Sequence, residues 1–246
     1  MCGIAGIVRT DKKLDREPLD LLGNLAHRGP DGSNCFLDEE NNFALVHSRL
    51  SIIDPVLGKQ PMSNGTNTMH ITYNGELYNF KDLRKELINQ GFTFKTSSDT
   101  EVILTSYQFW GQDCLKKFRG MFSFCIADYE KREFFLARDQ FGMKPLHYYL
   151  GNNVFAFSSE LYGIRSLPFT FSYDFNAIDS YLSLQYIPGT QTAYHQIKKL
   201  APAHSLVLSF DLKKFSIRPY WDFAYVESRK LSNNEWLEKA EATIEQ

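Results

Sequence analysis

The sequence predicts an α+β fold, with strands gathered into hairpins and a few separate helices packed on them. Two observations carry this. Four strands follow one another, Phe122–Tyr129, Glu133–Arg138, Leu146–Leu150 and Val154–Phe157, turning about Glu130–Arg132 and about Gly151–Asn153 as antiparallel neighbours do. Runs such as MFSFCIA and FFLA within them are apolar on both faces, so a second sheet or a layer of helices covers them on either side.

The remaining elements follow in order. Cys2–Arg9 is a buried strand with glycines where something approaches closely. Pro18–Ala26 is a short helix, its proline in the first turn. HRGPDG, His27–Gly32, is a loop of turn formers, and Cys35–Leu37 with Phe43–His47 makes a hairpin. RLSII stops at Asp54-Pro55, and a loop rich in Gly, Asn and Ser runs from Pro55 to Thr68. Met69–Tyr73 is a strand leading into Asn74-Gly75. Phe80, Leu83, Leu87 and Ile88 fall at helical spacing in Phe80–Asn89. Ser98-Asp99-Thr100-Glu101 reads as a capping box opening a helix over Asp99–Phe109, with a further short helix at Gln112–Arg119. Beyond the four strands come a helix at Asn176–Leu184, a strand pair at Ser205–Phe210 and Ser216–Tyr220, and an amphipathic helix at Asn234–Gln246. The apolar side of that last helix, Trp236, Leu237, Ala240 and Ile244, meets no later element, so it reads as the start of another domain.

The chain has 246 residues, 43% of them hydrophobic, enough for one large domain or two modest ones. A net charge of −2 gives no electrostatic case for nucleic acid or an anionic membrane surface. No apolar run reaches a membrane span, and the N-terminus lacks the basic and apolar regions of a signal peptide. Cys2, Cys35, Cys114 and Cys125 form no CxxC pair and the histidines have no HExxH spacing, so no metal site and no disulfide framework is expected. The expectation is a soluble, reduced, cytoplasmic protein.

Cys2 is small enough for removal of Met1, which would leave a thiol and a free α-amine on one residue. With a reference pKa near ~8, that amine is a usable base beside the sulfur, an activated nucleophile without a distant histidine. The plain alternative, stronger on these residues alone, is a first strand whose cysteine acts as a small hydrophobe. Arg49 is a carboxylate clamp or a surface ion pair. Asn74-Gly75 is a hairpin turn, which its composition favours, or an oxyanion hole built from the Asn74 amide and the Gly75 N–H, with Glu76 supplying an anion for a substrate amine. Asp99 is a helix N-terminal acid or, with Glu76, an ammonium site; spacing leaves these even. In HRGPDG, Arg28 and Asp31 brace the Cys2 strand or pair with each other. Arg138-Asp139 and Lys144-Pro145 order a turn, and His47 and His147 are core or surface histidines.

Seven motifs, MCGIAGIV, HRGPDG, HSRLSIID, YNGELYN, SSDTEVIL, GMFSFCIAD and ARDQFGMKPL, stand in this order. Together they resemble the glutamine-hydrolysing (class II, N-terminal nucleophile) domain of asparagine synthetase, closely over about Cys2–Glu160 and more loosely through YLSLQYIPG, TAYHQIKKLAPAH and PYWDF. The resemblance implies a four-layer αββα sandwich of two antiparallel sheets, followed by a linker strand pair and a helix. It implies that Cys2 attacks the side-chain amide of glutamine with its own amine as base. It implies further that Asn74 and Gly75 hold the oxyanion, Arg49 binds the α-carboxylate, Glu76 and Asp99 bind the α-ammonium, and backbone groups of Leu50, Ser51, Ile52 and Ile53 line the pocket. Glutamate and ammonia would result, the ammonia passing to a synthetase domain where ATP activates aspartate.

The domain division so implied is a glutaminase domain at 2–188, a linker at 189–229 and a truncated first synthetase helix at 230–246. No SGGxDS pyrophosphate loop is present, so no cofactor is expected in this chain, and ATP and magnesium only in a longer enzyme. The expected partners are glutamine and that synthetase domain; a homodimer stays open. Where the family often has Pro-Gly-His, this chain has Pro202-Ala203-His204, which puts that turn's geometry in question. Two other readings stand beside this one: a glutaminase serving another carboxylate acceptor, and a non-catalytic binding module if Met1 is retained.

Overall fold

Twelve strands form two six-stranded antiparallel sheets in a computed structural model that describes residues 1–223 and 231–244. In chain order the elements are β1 (Gly3–Arg9), α1 (Glu17–Leu25), β2 (Gly32–Asp38), β3 (Phe43–Arg49), β4 (Met62–Ser63), β5 (Met69–Leu77), α2 (Phe80–Asn89) and α3 (Asp99–Trp110). They continue with β6 (Gly120–Asp128), β7 (Glu133–Arg138), β8 (His147–Leu150), β9 (Val154–Ser158), α4 (Leu161–Arg165) and α5 (Phe175–Leu184). The last are β10 (Ile197–Lys199), β11 (His204–Ser209), β12 (Phe215–Pro219) and α6 (Asn233–Ile244). One sheet runs β10-β8-β9-β1-β3-β2, the other β12-β11-β7-β6-β5-β4.

The period of two along each strand builds the layers. In β1, Ile4 and Val8 face inward and join Phe43, Leu45, Phe134, Leu136, Phe155 and Leu206 between the sheets, while Ala5 and Ile7 face outward onto Leu21 and Leu25 of α1. In β6, Cys125 and Ala127 face the other sheet, while Phe122, Phe124 and Ile126 pack under Leu83 and Leu87 of α2 and Ile103 and Tyr107 of α3. The two-sided apolarity of MFSFCIA thus reflects a helix–sheet–sheet–helix stack. Each fully buried Phe contributes roughly 1.5–3 kcal/mol relative to exposure.

Several elements differ from expectation for identifiable reasons. The main difference is β5, which does not stop at Tyr73. It runs through Asn74-Gly75 to Leu77, paired with β6 from Met69↔Asp128 to Leu77↔Gly120, so the long ladder overrides the local turn preference. The segment at Gln112–Arg119 is a 3-10 turn over Gly111–Lys117. The expected loop Pro55–Thr68 contains the two-residue strand β4, and α4 and β10 were not expected. Ser98 caps α3 by accepting from the Glu101 N–H, but the Glu101 carboxylate accepts from Lys95 and Thr96 N–H instead of reaching back to Ser98. The stretch 189–229, expected as a linker, adds β10 to one sheet beside β8 and β11 and β12 to the other beside β7. Part of it, 224–230, lies outside the described residues, as do 245 and 246 of the final helix; no residue of α6 is buried.

The turn at Pro202-Ala203-His204 takes Ala203 to φ 59°, the left-handed region that favours glycine. Hydrogen bonds to the Asp139 carbonyl and from the Tyr220 N–H hold it there. An L-residue in this region costs about 1–2 kcal/mol, and glycine returns about half of that through its freer unfolded chain. Ala203→Gly is therefore expected to raise stability by about 0.5–1 kcal/mol in urea titration; a lowered midpoint would contradict the strain.

His47 and His147 sit in the packed body, and burial pushes their pKa values down to about 3 and about 4. The unfolded chain takes up these protons near pH ~6.5, the folded chain only well below it. Stability contributed by the neutral rings is thus full above about 6.5 and is lost as pH falls from there toward 4. Urea unfolding midpoints at pH 7 and pH 5 should show the lower value at pH 5; equal midpoints would contradict this.

Candidate active site

Cys2 immediately precedes β1, at the end of a strand central to its sheet. Its parity with Ile4 directs it to the face that meets the second sheet. There its Sγ accepts from the Leu50 N–H at 3.3 Å and lies 3.5 Å from the Leu50 carbonyl. Arg28 braces it from the other side: Nε donates to the Cys2 carbonyl at 3.0 Å and Nη1 to Glu160 at 2.6 Å. Asp31 accepts instead from the Ser51 N–H at 2.7 Å, so both charges of HRGPDG fasten the backbone around residue 2 and neither pairs with the other.

Across the gap stands β5. Asn74 has the same parity as Thr72, whose hydroxyl donates to the Val46 carbonyl of the first sheet. Asn74 is 1% exposed, and its Nδ2 is buried without a hydrogen-bond partner among the described residues. A buried donor left unsatisfied costs about 1–3 kcal/mol, so its presence on a cavity wall calls for an acceptor from outside. The neighbouring N–H groups of β5 explain Gly75. Tyr73 N–H donates to Gln60 Oε1 at 2.7 Å and Leu77 N–H to Asp99 Oδ2 at 3.1 Å. The alternation of the strand turns the Gly75 N–H to the same side, between them. A Cβ at Gly75 would run into the Met121 carbonyl oxygen and Phe122 Cα, so only glycine fits this crossing.

Asp99 opens α3 and is 4% exposed. Tyr73 Oη donates to it at 2.8 Å, with the Leu77 N–H as second donor. Burial still raises its pKa above the ordinary carboxylate value. This is a buried acid without a cationic partner among the described residues, the environment in which an entering ammonium gains most. Arg49 is also buried; its guanidinium donates to the carbonyls of Ile53 (3.5 Å), Asp54 (2.7 Å) and Pro55 (2.8 Å). Three of its five N–H groups hold that turn, leaving two.

One cavity of about 160 Å³ joins these groups. Its size compares with the roughly 150 Å³ space that takes a benzene-sized molecule. Of the residues named from the sequence, Cys2, Arg49, Leu50, Ile52, Ile53, Asn74, Gly75, Glu76 and Asp99 line it. Ser51 does not; its N–H is turned to Asp31. Met1, Gly58, Gln60, Tyr73, Thr100, Met121 and Lys144 line it as well and were not read as site residues. Tyr73 is the first residue of the YNGELYN motif; for Gln60 and Lys144, nothing in the spacing connects them to residue 2. Arg138 and Asp139 order their turn as expected.

A family profile described as a glutamine amidotransferase domain matches residues 1–221. The chain belongs to the glutamine amidotransferase domain family. It is 36% identical over 230 residues to asparagine synthetase [glutamine-hydrolyzing] 1 of Bacillus subtilis, covering 92% of this chain and 35% of that one. It is 38% identical over 243 residues to asparagine synthetase [glutamine-hydrolyzing] 3 of the same organism, covering 94% and 38%. The chain therefore spans little more than a third of either relative's length. Among solved structures, the glutamine phosphoribosylpyrophosphate amidotransferase of B. subtilis superposes with a TM-score of 0.67 at 19% identity, over 89% of this chain and 49% of that one. That likeness shows the fold: the two stacked sheets are those of an amidotransferase. Among the described residues no helix is long and apolar enough to cross a membrane.

Proposed function

We propose that this amidotransferase domain hydrolyses glutamine to glutamate and ammonia, with Cys2 as nucleophile once Met1 is removed. The observation that carries this is the unpartnered, buried amide of Asn74 on the wall of the cavity that holds the Cys2 sulfur. Glutamine would enter with its α-ammonium against Asp99 and Glu76 and its α-carboxylate on the two remaining N–H groups of Arg49. The Cys2 α-amine takes the thiol proton, and the sulfur bonds to the side-chain amide carbon. Negative charge develops on the amide oxygen, where Asn74 Nδ2 and the Gly75 N–H are the donors. Collapse breaks the carbon–nitrogen bond as the ammonium of Cys2 returns its proton to the leaving nitrogen, releasing ammonia. Water then attacks the thioester, again with the amine as base, and glutamate leaves.

The relatives extend well beyond the matched length, and their names carry the larger reading. In the whole protein, the ammonia would serve ATP-dependent amidation of aspartate to asparagine in a synthetase domain. ATP and magnesium would act there, and no residue of this chain is assigned to them.

The test is glutamate and ammonia release from L-glutamine by the methionine-free chain, compared with the analogue that lacks the α-amine. Equal molar release, with kcat/KM for the analogue lower by about 100-fold or more because the Asp99 carboxylate stays unpaired, is the expected result. No release from L-glutamine would refute the assignment.

A further inference from the structure

The strongest unexplained charge at the site is Lys144. It lines the cavity with Cys2, is only 6% exposed, and its Nζ lies 3.3 Å from Met1 Sδ. Its backbone is hydrogen-bonded through both its N–H and its carbonyl. The Lys144 N–H donates to Asp139 Oδ2 at 3.0 Å, and its carbonyl accepts from Arg138 Nε at 2.9 Å. Asp139 in turn accepts from the N–H groups of Phe122, Phe141 and Met143. Such a turn fixes where the lysine stem starts, on the wall of the cavity that holds Cys2.

We propose that Lys144 is a positioning residue that sets a positive charge on the wall of the cavity holding Cys2 and thereby keeps the α-amine of Cys2 in its basic form near neutral pH. The proposal rests on the glutaminase reading above. An amine with a cation nearby holds its proton less tightly, since like charges disfavour the charged form. Arg28, bonded to the Cys2 carbonyl, adds to the same field from the 3-10 turn that follows α1. The opposing charges are Asp139 in the turn itself, the Cys2 sulfur when ionised and Glu76 on β5, all of which favour the charged lysine, and Glu160, which is engaged by Arg28. Asp99 stands on the same cavity wall, bonded to Tyr73 and Leu77. Burial and Arg28 together lower the affinity of Lys144 for its own proton, the same desolvated setting that would act on the amine. Unlike Arg49, Asn74 and Asp99, Lys144 is given no bond to the substrate.

The experiment is the pH profile of kcat/KM for glutamine hydrolysis by the methionine-free wild type, Lys144→Met and Lys144→Arg. This parameter reports the free enzyme's essential base. Lys144→Met is expected to move the acid limb up by about one pH unit, and Lys144→Arg to leave it near the wild-type position. A second measurement needs no variant: in wild-type chain carrying ¹⁵N at Cys2, the α-amine should titrate below its ordinary range of about 7.7–8.0. An acid limb unmoved in Lys144→Met, or an amine titrating at or above that range, would overturn the proposal while leaving the glutaminase reading intact. A wild type that releases no glutamate would overturn both.

Discussion

Cys2→Ala should abolish glutamate release from glutamine, with a loss of at least about 10⁴-fold in kcat, while circular dichroism and the urea midpoint change little. The size follows from its place in the chemistry: without the sulfur no thioester forms, and what remains is binding and oxyanion stabilisation acting on water. The small effect on stability follows from its position. Cys2 lies before the first ladder residue, Gly3, and its main-chain anchor is the bond from Arg28 to its carbonyl, which alanine retains. Glutamate release persisting at a tenth of the wild-type rate would place the nucleophile elsewhere. Cys114 and Cys125 are poor candidates for that role, since burial raises the pKa of each thiol, and neither they nor the exposed Cys35 line the cavity.

Asn74→Ala should lower kcat by about 10²–10³-fold with KM changed by less than about threefold. One oxyanion donor contributes roughly 3–4 kcal/mol, and it does so where charge develops, not in the bound ground state. The substitution also removes a buried donor that has no partner in the free protein, so unfolding stability should hold or rise slightly. This combination separates a catalytic amide from a structural one. A large fall in stability with an unchanged kcat would assign Asn74 to packing.

Much of this fold was legible because burial leaves a periodic trace. β6 and β7 advertised two covered faces, and α2 was read to its ends, Phe80 and Asn89. The short elements were hidden for an equally physical reason. β4 and β10 are two and three residues long, and only their neighbours' ladders make them strands. Asn74-Gly75 shows how a local rule yields to a tertiary one: the dipeptide that closes hairpins elsewhere is here threaded straight, with glycine required by the Met121 carbonyl rather than by a turn. The lining of the candidate cavity was legible where its residues lie in motifs just before β1, at the end of β3, on β5 and at the start of α3. Ser51 does not line the cavity, because one residue's rotation along an irregular loop cannot be read from sequence and Asp31 takes its N–H. Gln60 and Lys144 reach the cavity through loop geometry alone, and Lys144 was read as a turn former because its backbone is one.

The central claim is that a sulfur and a freed amine on the same residue perform the attack. Its most direct test is intact-mass measurement of the active chain before and after treatment with a glutamine-like chloromethyl ketone. The account predicts a chain lighter by one methionine residue that gains a single adduct, mapped to Cys2, as glutamate release falls to zero in proportion. A chain that keeps Met1 and still releases glutamate at the full rate would contradict it.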